Sequence, residues 1–249
     1  MKFLLQNGAD VDAKLKFGFH YTAFHVSAFF GHLDLVRIFV KNGLNVNVRN
    51  SNEETPLYVT CLQGNRDDAE YLIDNGADVW VKCKIDNSSC LHAASQRGHL
   101  KVIKLLLEKG FDINPKDLNG HTPLRTACLF GKAKAAKLLL DKRANMSDIN
   151  FHLNRALQIT IDCHGTLAPL TETARILLEN GADAAMKTYG LSPFHYAVEK
   201  TNLSFVKVVY DVRPNFDVKD FDQNNAIEFV LKEKQQNAMK IILFHFHKH

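Results

Sequence analysis

The stretch SCLHAASQRGHLKVIKLLLEKG, residues 89–110, decides the fold. Ser89 can accept a backbone N–H as a helix cap, and Leu91 and Ala94 then place apolar or small groups on one face of a short helix. Gly98 ends that helix. The second helix that follows carries apolar residues over a wide arc, so it must be covered on both sides. The stretch therefore predicts a pair of short helices that needs neighbours.

The same pattern recurs along the chain and supplies those neighbours. It appears as TAFH from Thr22, TPLY from Thr55, SCLH from Ser89, TPLR from Thr122, RALQ from Arg155, SPFH from Ser192 and NAIE from Asn225. The starts are 33, 34, 33, 33, 37 and 33 residues apart, and the dipeptide Gly-His follows at Gly31 and Gly98. This period and these motifs resemble the ankyrin repeat. The resemblance covers almost the whole chain and implies an all-α solenoid of stacked helix-turn-helix units with projecting β-hairpin loops.

The spacing predicts one array over residues 1–249. Its units are a partial repeat at 1–17, then 18–51, 52–85, 86–118, 119–150, 151–189, 190–221 and a degenerate C-terminal cap at 222–249. The opening KFLLQNGAD matches the tail of a second helix, which favours a fragment or an internal start over a secretory signal. An insertion near Cys163–Thr171 predicts a protruding loop, either a partner contact or a tolerated surface insertion.

Glycines mark the predicted helix ends and turns. We expect left-handed residues after the second helices at Gly8, Gly43, Gly76, Gly110 and Gly181. Arg143 stands where other units have this glycine, so a positive φ is expected there as well. The glycine that the family places two residues before the threonine is present only at Gly120 and Gly190, with Asn87 as a tolerable substitute. Several hairpins are therefore expected to be less regular.

Composition bounds the possible functions. Hydrophobic residues are 46% and charged residues 23% of the chain, and no apolar run reaches the roughly 18 residues that a membrane span needs. The net charge is +4, with scattered basic residues that give no specific nucleic-acid signal. Five cysteines without a C-x-x-C pair argue against a disulfide framework or zinc module. An intracellular monomer, cytoplasmic or nuclear, is expected.

The sequence carries no recognisable enzyme motif, so we expect no catalysis, no cofactor and no metal site. Asp162–His164 looks like a triad, but adjacent side chains point in different directions and cannot form a nucleophile-base pair. His25, His92 and His195 share one repeat position. The resemblance implies that these histidines hydrogen-bond the backbone between units, which is a structural role.

The resemblance also implies a protein-binding surface. In ankyrin proteins the residues just before the threonine, and those seven and eight after it, usually face the concave side. The corresponding candidates here are Phe19, Tyr21, Phe29, Phe30, Glu54, Leu62, Gln63, Gln96, Arg97, His121, Leu129 and Phe130. Aromatic side chains are favoured interface anchors, so Phe19, Tyr21, Phe29 and Phe30 form a predicted hot spot. Packing against neighbouring units is the alternative role for the phenylalanines.

Two functions follow from the sequence. The first is a non-catalytic scaffold or adaptor that binds a protein partner of unknown identity on its concave helix and hairpin face. The alternative is a fragment or a regulatory or targeting segment of a larger ankyrin-bearing polypeptide, such as a channel, a ubiquitin-ligase adaptor or a latrotoxin-like toxin.

Overall fold

The computed structural model describes residues 7–8, 10, 13–15, 19–144, 167–185, 187, 190–211 and 217–246. In these residues the chain forms thirteen α-helices and an isolated antiparallel bridge between Lys82 and Ser89, but no strand. The helices are α1 (Ala23–Phe30), α2 (Leu33–Lys41), α3 (Pro56–Gln63), α4 (Arg66–Asp74), α5 (Cys90–Arg97), α6 (Leu100–Glu108), α7 (Pro123–Leu129), α8 (Ala133–Asp141), α9 (Leu167–Glu179), α10 (Pro193–Glu199), α11 (Leu203–Asp211), α12 (Ala226–Lys232) and α13 (Gln236–Phe246). None of them is long and apolar enough to cross a membrane.

The caps predicted from the sequence set the helix ends. Ser89 Oγ accepts the backbone N–H of His92 at 3.4 Å, which satisfies one free donor at the start of α5. Gly98 ends α5 with a φ of 77°, and α6 begins two residues later. In α3, Pro56 occupies the first turn, where its missing N–H costs nothing. The predicted helix-turn-helix unit is therefore confirmed.

The contacts of the chain divide into two compact units, residues 1–127 and 128–249. In the first unit, α1, α3 and α5 pack side by side in that order, and α2, α4 and α6 do the same. Ala28, Cys61 and Ala94 are fully buried in the first helices, where their small size lets the backbones approach closely. In the second unit, α9 packs on α8 and α11, and α10 packs on α11 and α12.

The left-handed residues follow the sequence prediction at the helix ends. Gly43 and Gly76 have φ values of 80° and 87°, and Arg143 has a φ of 65°. Arg143 thus replaces a glycine without changing the turn, at a steric cost of about 1–2 kcal/mol for a residue with a Cβ atom.

The expectation of less regular hairpins was wrong for the hairpins of Glu53 and Gln223, which close with the same backbone hydrogen bond as the hairpin of Gly120. His20, Glu53 and Gln223, at the usual glycine position, keep positive φ values of 54°, 60° and 63°. Side chains next to the turns explain part of this regularity. Asn50 Oδ1 accepts the backbone N–H groups of Asn52 and Glu54, both at 2.9 Å, and so fixes one turn whatever residue lies between them.

The predicted loop near Cys163–Thr171 is partly helical. Helix α9 begins at Leu167, so the end of the expected loop forms its first turn, and residues 163–166 lie outside the described residues. Pro169 fits there because a proline is tolerated in the first turn of a helix. The triad-like segment 162–164 lies outside the described residues too.

Candidate protein-binding surface

Two aromatic side chains project from the C-terminal end of α1. Phe29 is 37% exposed and Phe30 is 64% exposed, whereas the preceding Ala28 is fully buried. The two rings meet edge to face with centroids 5.1 Å apart, and Phe30 also stacks on His32 at 6.0 Å. We call Phe29 and Phe30 the aromatic pair. It offers a preformed apolar contact surface to solvent.

A second aromatic group lies at the start of α1. Phe19 is 50% exposed and meets Tyr21 edge to face at 6.2 Å, while Tyr21 stacks on His25 at 5.6 Å. Burial and the neighbouring carboxylate of Glu54 raise the pKa of Tyr21 to about 12, so its hydroxyl stays protonated. Helix α1 has 8 residues and rises about 12 Å. The two aromatic groups are therefore separate features at opposite ends of one helix.

Glu54 does not belong to an exposed surface, which corrects its predicted placement. Its side chain is only 7% exposed. Its Oε2 accepts hydrogen bonds from Asn50 Nδ2 at 2.6 Å and from the Tyr21 hydroxyl at 3.2 Å. The carboxylate joins two successive repeats, so it is occupied within the protein.

The ends of the first helices form a row in the first compact unit. Because α1, α3 and α5 pack side by side, the aromatic pair is followed by Leu62 and Gln63 and then by Gln96 and Arg97. Leu62, Gln63 and Gln96 are partly exposed and Arg97 is exposed. The row therefore runs from aromatic to polar and cationic.

The three remaining predicted residues lie elsewhere. His121 is partly exposed near the base of a hairpin, and its Nδ1 is 3.1 Å from Asp117 Oδ2. Leu129 is partly exposed and Phe130 is 51% exposed, and both belong to the second compact unit.

Exposed apolar residues at the hairpin tips escaped the sequence interpretation. Ile85 and Leu118 are each 66% exposed. Their hairpins are neighbours, because the Leu118 N–H donates to the carbonyl of Asp86 at 2.8 Å. Each of them lies four positions before a helix-capping residue, Ser89 or Thr122. This shared repeat position could have predicted their exposure from the sequence.

The repeated histidines hold successive units together, as expected. His25 Nε2 donates to the carbonyl of Glu54 at 3.0 Å, and His92 Nε2 donates to that of His121 at 2.9 Å. His195 makes the equivalent bond to Asn224 at 3.3 Å. Burial lowers the pKa of all three imidazoles, so the neutral form is favoured.

Possible metal ligands do not cluster in the described part of the chain. There, no group of three or more His, Cys, Asp or Glu side chains could hold a metal ion. The four cysteines that the structure describes, Cys61, Cys83, Cys90 and Cys128, are buried and free of disulfides.

Comparison with known proteins identifies the family. A family model described as ankyrin repeats (3 copies) matches residues 1–83 and 81–151, more than half of the chain. The chain belongs to the ankyrin-repeat family. The crystal structure of the human ASB11 ankyrin repeat domain matches with a TM-score of 0.70 and 21% identity, covering 87% of this chain and 98% of that one. The predicted all-α ankyrin solenoid is thus confirmed.

Similar ankyrin proteins have diverse names. The human transient receptor potential cation channel subfamily A member 1 is 30% identical over 186 residues, which are 72% of this chain and 16% of the channel. The probable 26S proteasome regulatory subunit p28 of Saccharomyces cerevisiae is 36% identical over 128 residues, 49% of this chain and 54% of the subunit. Mouse protein phosphatase 1 regulatory subunit 12A is 35% identical over 83 residues, 33% of this chain and 8% of the subunit. This ankyrin chain thus spans about half or less of these relatives.

Proposed function

We propose that this protein is a non-catalytic scaffold or adaptor that binds a protein partner through its first helices and hairpins. Ankyrin repeats generally mediate protein–protein interaction. The observation that carries the proposal is the aromatic pair, two phenylalanine rings that stay 37% and 64% exposed. Burial of such rings by a partner gains apolar contact area at little cost in side-chain entropy.

The neighbouring side chains define the kind of partner. The aromatic pair supplies the apolar anchor, and Leu62 extends it along the row of helix ends. Arg97 ends the row with an exposed guanidinium, which favours a carboxylate on the partner. The expected partner therefore presents an apolar side chain and, further along the row, an acidic one.

Affinity capture tests the proposal. The intact chain and a Phe29→Ala, Phe30→Ala double variant are immobilised, and the captured proteins are quantified by mass spectrometry. Trp80→Ala is the matched control, because Trp80 is 72% exposed but lies in the loop after α4. The proposal expects a partner that binds the intact chain and the control but not the double variant. Equal capture by all three chains, each shown to be folded, would contradict it.

We also propose an alternative role as a regulatory or targeting segment of a larger polypeptide. This role is favoured by relatives of which the aligned repeats are a small share, among them the channel and the Arabidopsis thaliana E3 ubiquitin-protein ligase XBAT32, covered over 32% of its length at 28% identity. The larger polypeptide would be a channel, a ubiquitin-ligase adaptor or a latrotoxin-like toxin. Immunoblotting of the native tissue with an antibody against the repeats separates the roles. A band well above 28.1 kDa supports the larger polypeptide, and a band at 28.1 kDa contradicts it.

A further inference from the structure

One buried carboxyl group in the first compact unit has an oxygen that accepts no hydrogen bond. Asp68 is the third residue of α4 and is only 2% exposed. Its Oδ1 is fully shielded from solvent and accepts no hydrogen bond from any described residue. Buried carboxylates are normally paired or hydrogen-bonded, because an unpaired charge away from water is costly. A positively charged group near Asp68 would therefore stabilise the ionised carboxylate.

An open cavity borders the buried Asp68. Its volume is about 330 Å³, and it is lined by Gly31, Asn65, Arg66, Asp68 and Lys101, among others. Gly31 directly follows the aromatic pair, so this cavity adjoins the proposed binding surface.

The nearby donors are engaged elsewhere. Asn65 Nδ2 donates to the carbonyl of Ala28 at 2.7 Å, and Arg66 Nη1 donates to Glu70 Oε2 at 2.7 Å. Lys101 lines the cavity, but no ion pair joins its ammonium group to Asp68 in the described structure. No ion pair between described residues therefore offsets the negative charge of Asp68.

We propose that this cavity is a socket for a positively charged side chain of the protein partner, a guanidinium or an ammonium group. A cation in the cavity would be attracted by the negative charge of the neighbouring carboxylate, and this attraction is strong because the charge is screened little by water. A metal ion is a poorer candidate, because the described residues supply no group of three His, Cys, Asp or Glu ligands. The assignment of the cation to a protein partner rests on the proposed function. The preference of the socket for a cation is independent of that function.

The charges around Asp68 predict that occupancy depends on pH. The charged groups that line the same cavity are Arg66 and Asp67 in α4 and Lys101 in α6, and His32, next to α2, also acts on Asp68. Burial, together with the negative charge of Asp67, raises the pKa of Asp68 to about 6, and His32 acts in the opposite direction. The carboxylate is thus ionised at pH 7.5 and mostly protonated at pH 5, so cation affinity should fall about tenfold between these values.

Small probes test the socket without the partner. The full chain, labelled with ¹³C at aspartate side chains, is titrated with Nα-acetyl-arginine methylamide, Nα-acetyl-lysine methylamide or the neutral Nα-acetyl-citrulline methylamide. The carboxyl signal of Asp68 should shift with at least one of the two cations, its pKa should fall, and citrulline should have no effect. Equal shifts with citrulline, or no shift with either cation, would overturn the socket.

Matched variants assign the effect to one carboxylate. Asp68→Asn should abolish probe binding, whereas Asp74→Asn, which removes an exposed carboxylate at the other end of α4, should retain it. Lys101→Gln removes a competing ammonium group and should strengthen binding. Binding that survives Asp68→Asn would overturn the assignment, and spectra of each variant confirm its fold.

The protein source of the cation is tested separately. A partner captured through the aromatic pair should bind the Asp68→Asn chain at least fivefold more weakly than the intact chain. If the intact chain binds the cationic probes but the partner binds the Asp68→Asn chain as tightly as the intact chain, the cation does not come from the partner. That result would leave the proposed function unchanged. If the aromatic double variant alone loses the partner while it still binds the probes, the partner contacts the aromatic pair. The socket would then not take part in partner binding.

Discussion

Replacing His92 by leucine should remove a hydrogen bond between two successive repeats. It should also change how the free energy of unfolding depends on pH. Because Nε2 donates to the carbonyl of His121 at 2.9 Å, Nδ1 is the unprotonated acceptor, and it faces the Ser89 N–H at 3.2 Å. Leucine fills similar space but can neither donate to that carbonyl nor take up a proton. An unpaired buried carbonyl costs about 1–3 kcal/mol, so His92→Leu should lose that much at pH 7.5.

The sign of the pH effect follows from the pKa. Burial lowers the pKa of His92 in the folded state, so below its unfolded value of about 6.5 the unfolded chain binds more protons than the folded chain. The stability that the neutral His92 contributes is complete above pH 6.5 and is lost as the pH falls below it. The loss is at most about 1.4 kcal/mol per pH unit. Because the unfolded histidine is already half protonated at pH 6.5, the deficit of His92→Leu should shrink by up to about 1 kcal/mol between pH 6.5 and 5.5.

Urea unfolding at pH 7.5, 6.5 and 5.5, followed by circular dichroism, checks both effects. Ile103→Val is the control, because it removes one buried methylene at a cost of about 0.5–1.5 kcal/mol without altering a titrating group. Asp68 titrates with the opposite sign, but it is present in all three chains and cancels in the differences. A deficit for His92→Leu that stays constant with pH, like that of the control, would refute the assigned role of the imidazole.

Three further substitutions test the backbone and the surface by urea unfolding. Arg143→Gly should be neutral or stabilising by up to about 1 kcal/mol, because φ is 65°, and a loss beyond about 1 kcal/mol would contradict the strain argument. Gly64→Ala should lose more unfolding free energy than Gly76→Ala. Both positions have a positive φ, but a Cβ at Gly64 would lie 2.5 Å from a histidine ring, whereas a Cβ at Gly76 would meet no atom within 4 Å. Equal losses would contradict the close packing at Gly64. Phe24→Ala should lose about 3–5 kcal/mol and Phe30→Ala no more than about 2 kcal/mol, because their exposed fractions are 1% and 64%; similar losses would place Phe30 in the core.

Features that depend on local chemistry could be predicted from the sequence. The cap at Ser89, the helix end at Gly98 and the left-handed Arg143 each follow from the residue and its place in the repeat. The role of His92 could be predicted from the family resemblance, and His25 and His195 make the same bond at the same repeat position. The exposure of Phe29 and Phe30 agrees with their predicted positions, while their binding remains a proposal.

Features that depend on contacts between units could not be predicted in the same way. Glu54 is buried because Tyr21 of the preceding unit and Asn50 of its own hairpin both donate to its carboxylate. The burial of Asp68 without a hydrogen-bond donor for Oδ1 could not be predicted, because the sequence shows only an acidic residue in the first turn of a helix. The hairpin of Glu53 keeps its conformation without a glycine because the Asn50 side chain accepts two backbone N–H groups there. These bonds could not be predicted from the sequence.

The affinity of a captured partner for the Phe30→Ala chain tests the central claim most directly. Isothermal titration calorimetry should compare this variant with the intact chain and with Trp80→Ala, since Phe30 and Trp80 are 64% and 72% exposed. The proposed anchoring role predicts a loss of about 2 kcal/mol or more for Phe30→Ala, roughly a thirtyfold rise in Kd, and little change for Trp80→Ala. An unchanged Kd for the folded Phe30→Ala chain would contradict the claim that this protein binds its partner through the aromatic pair.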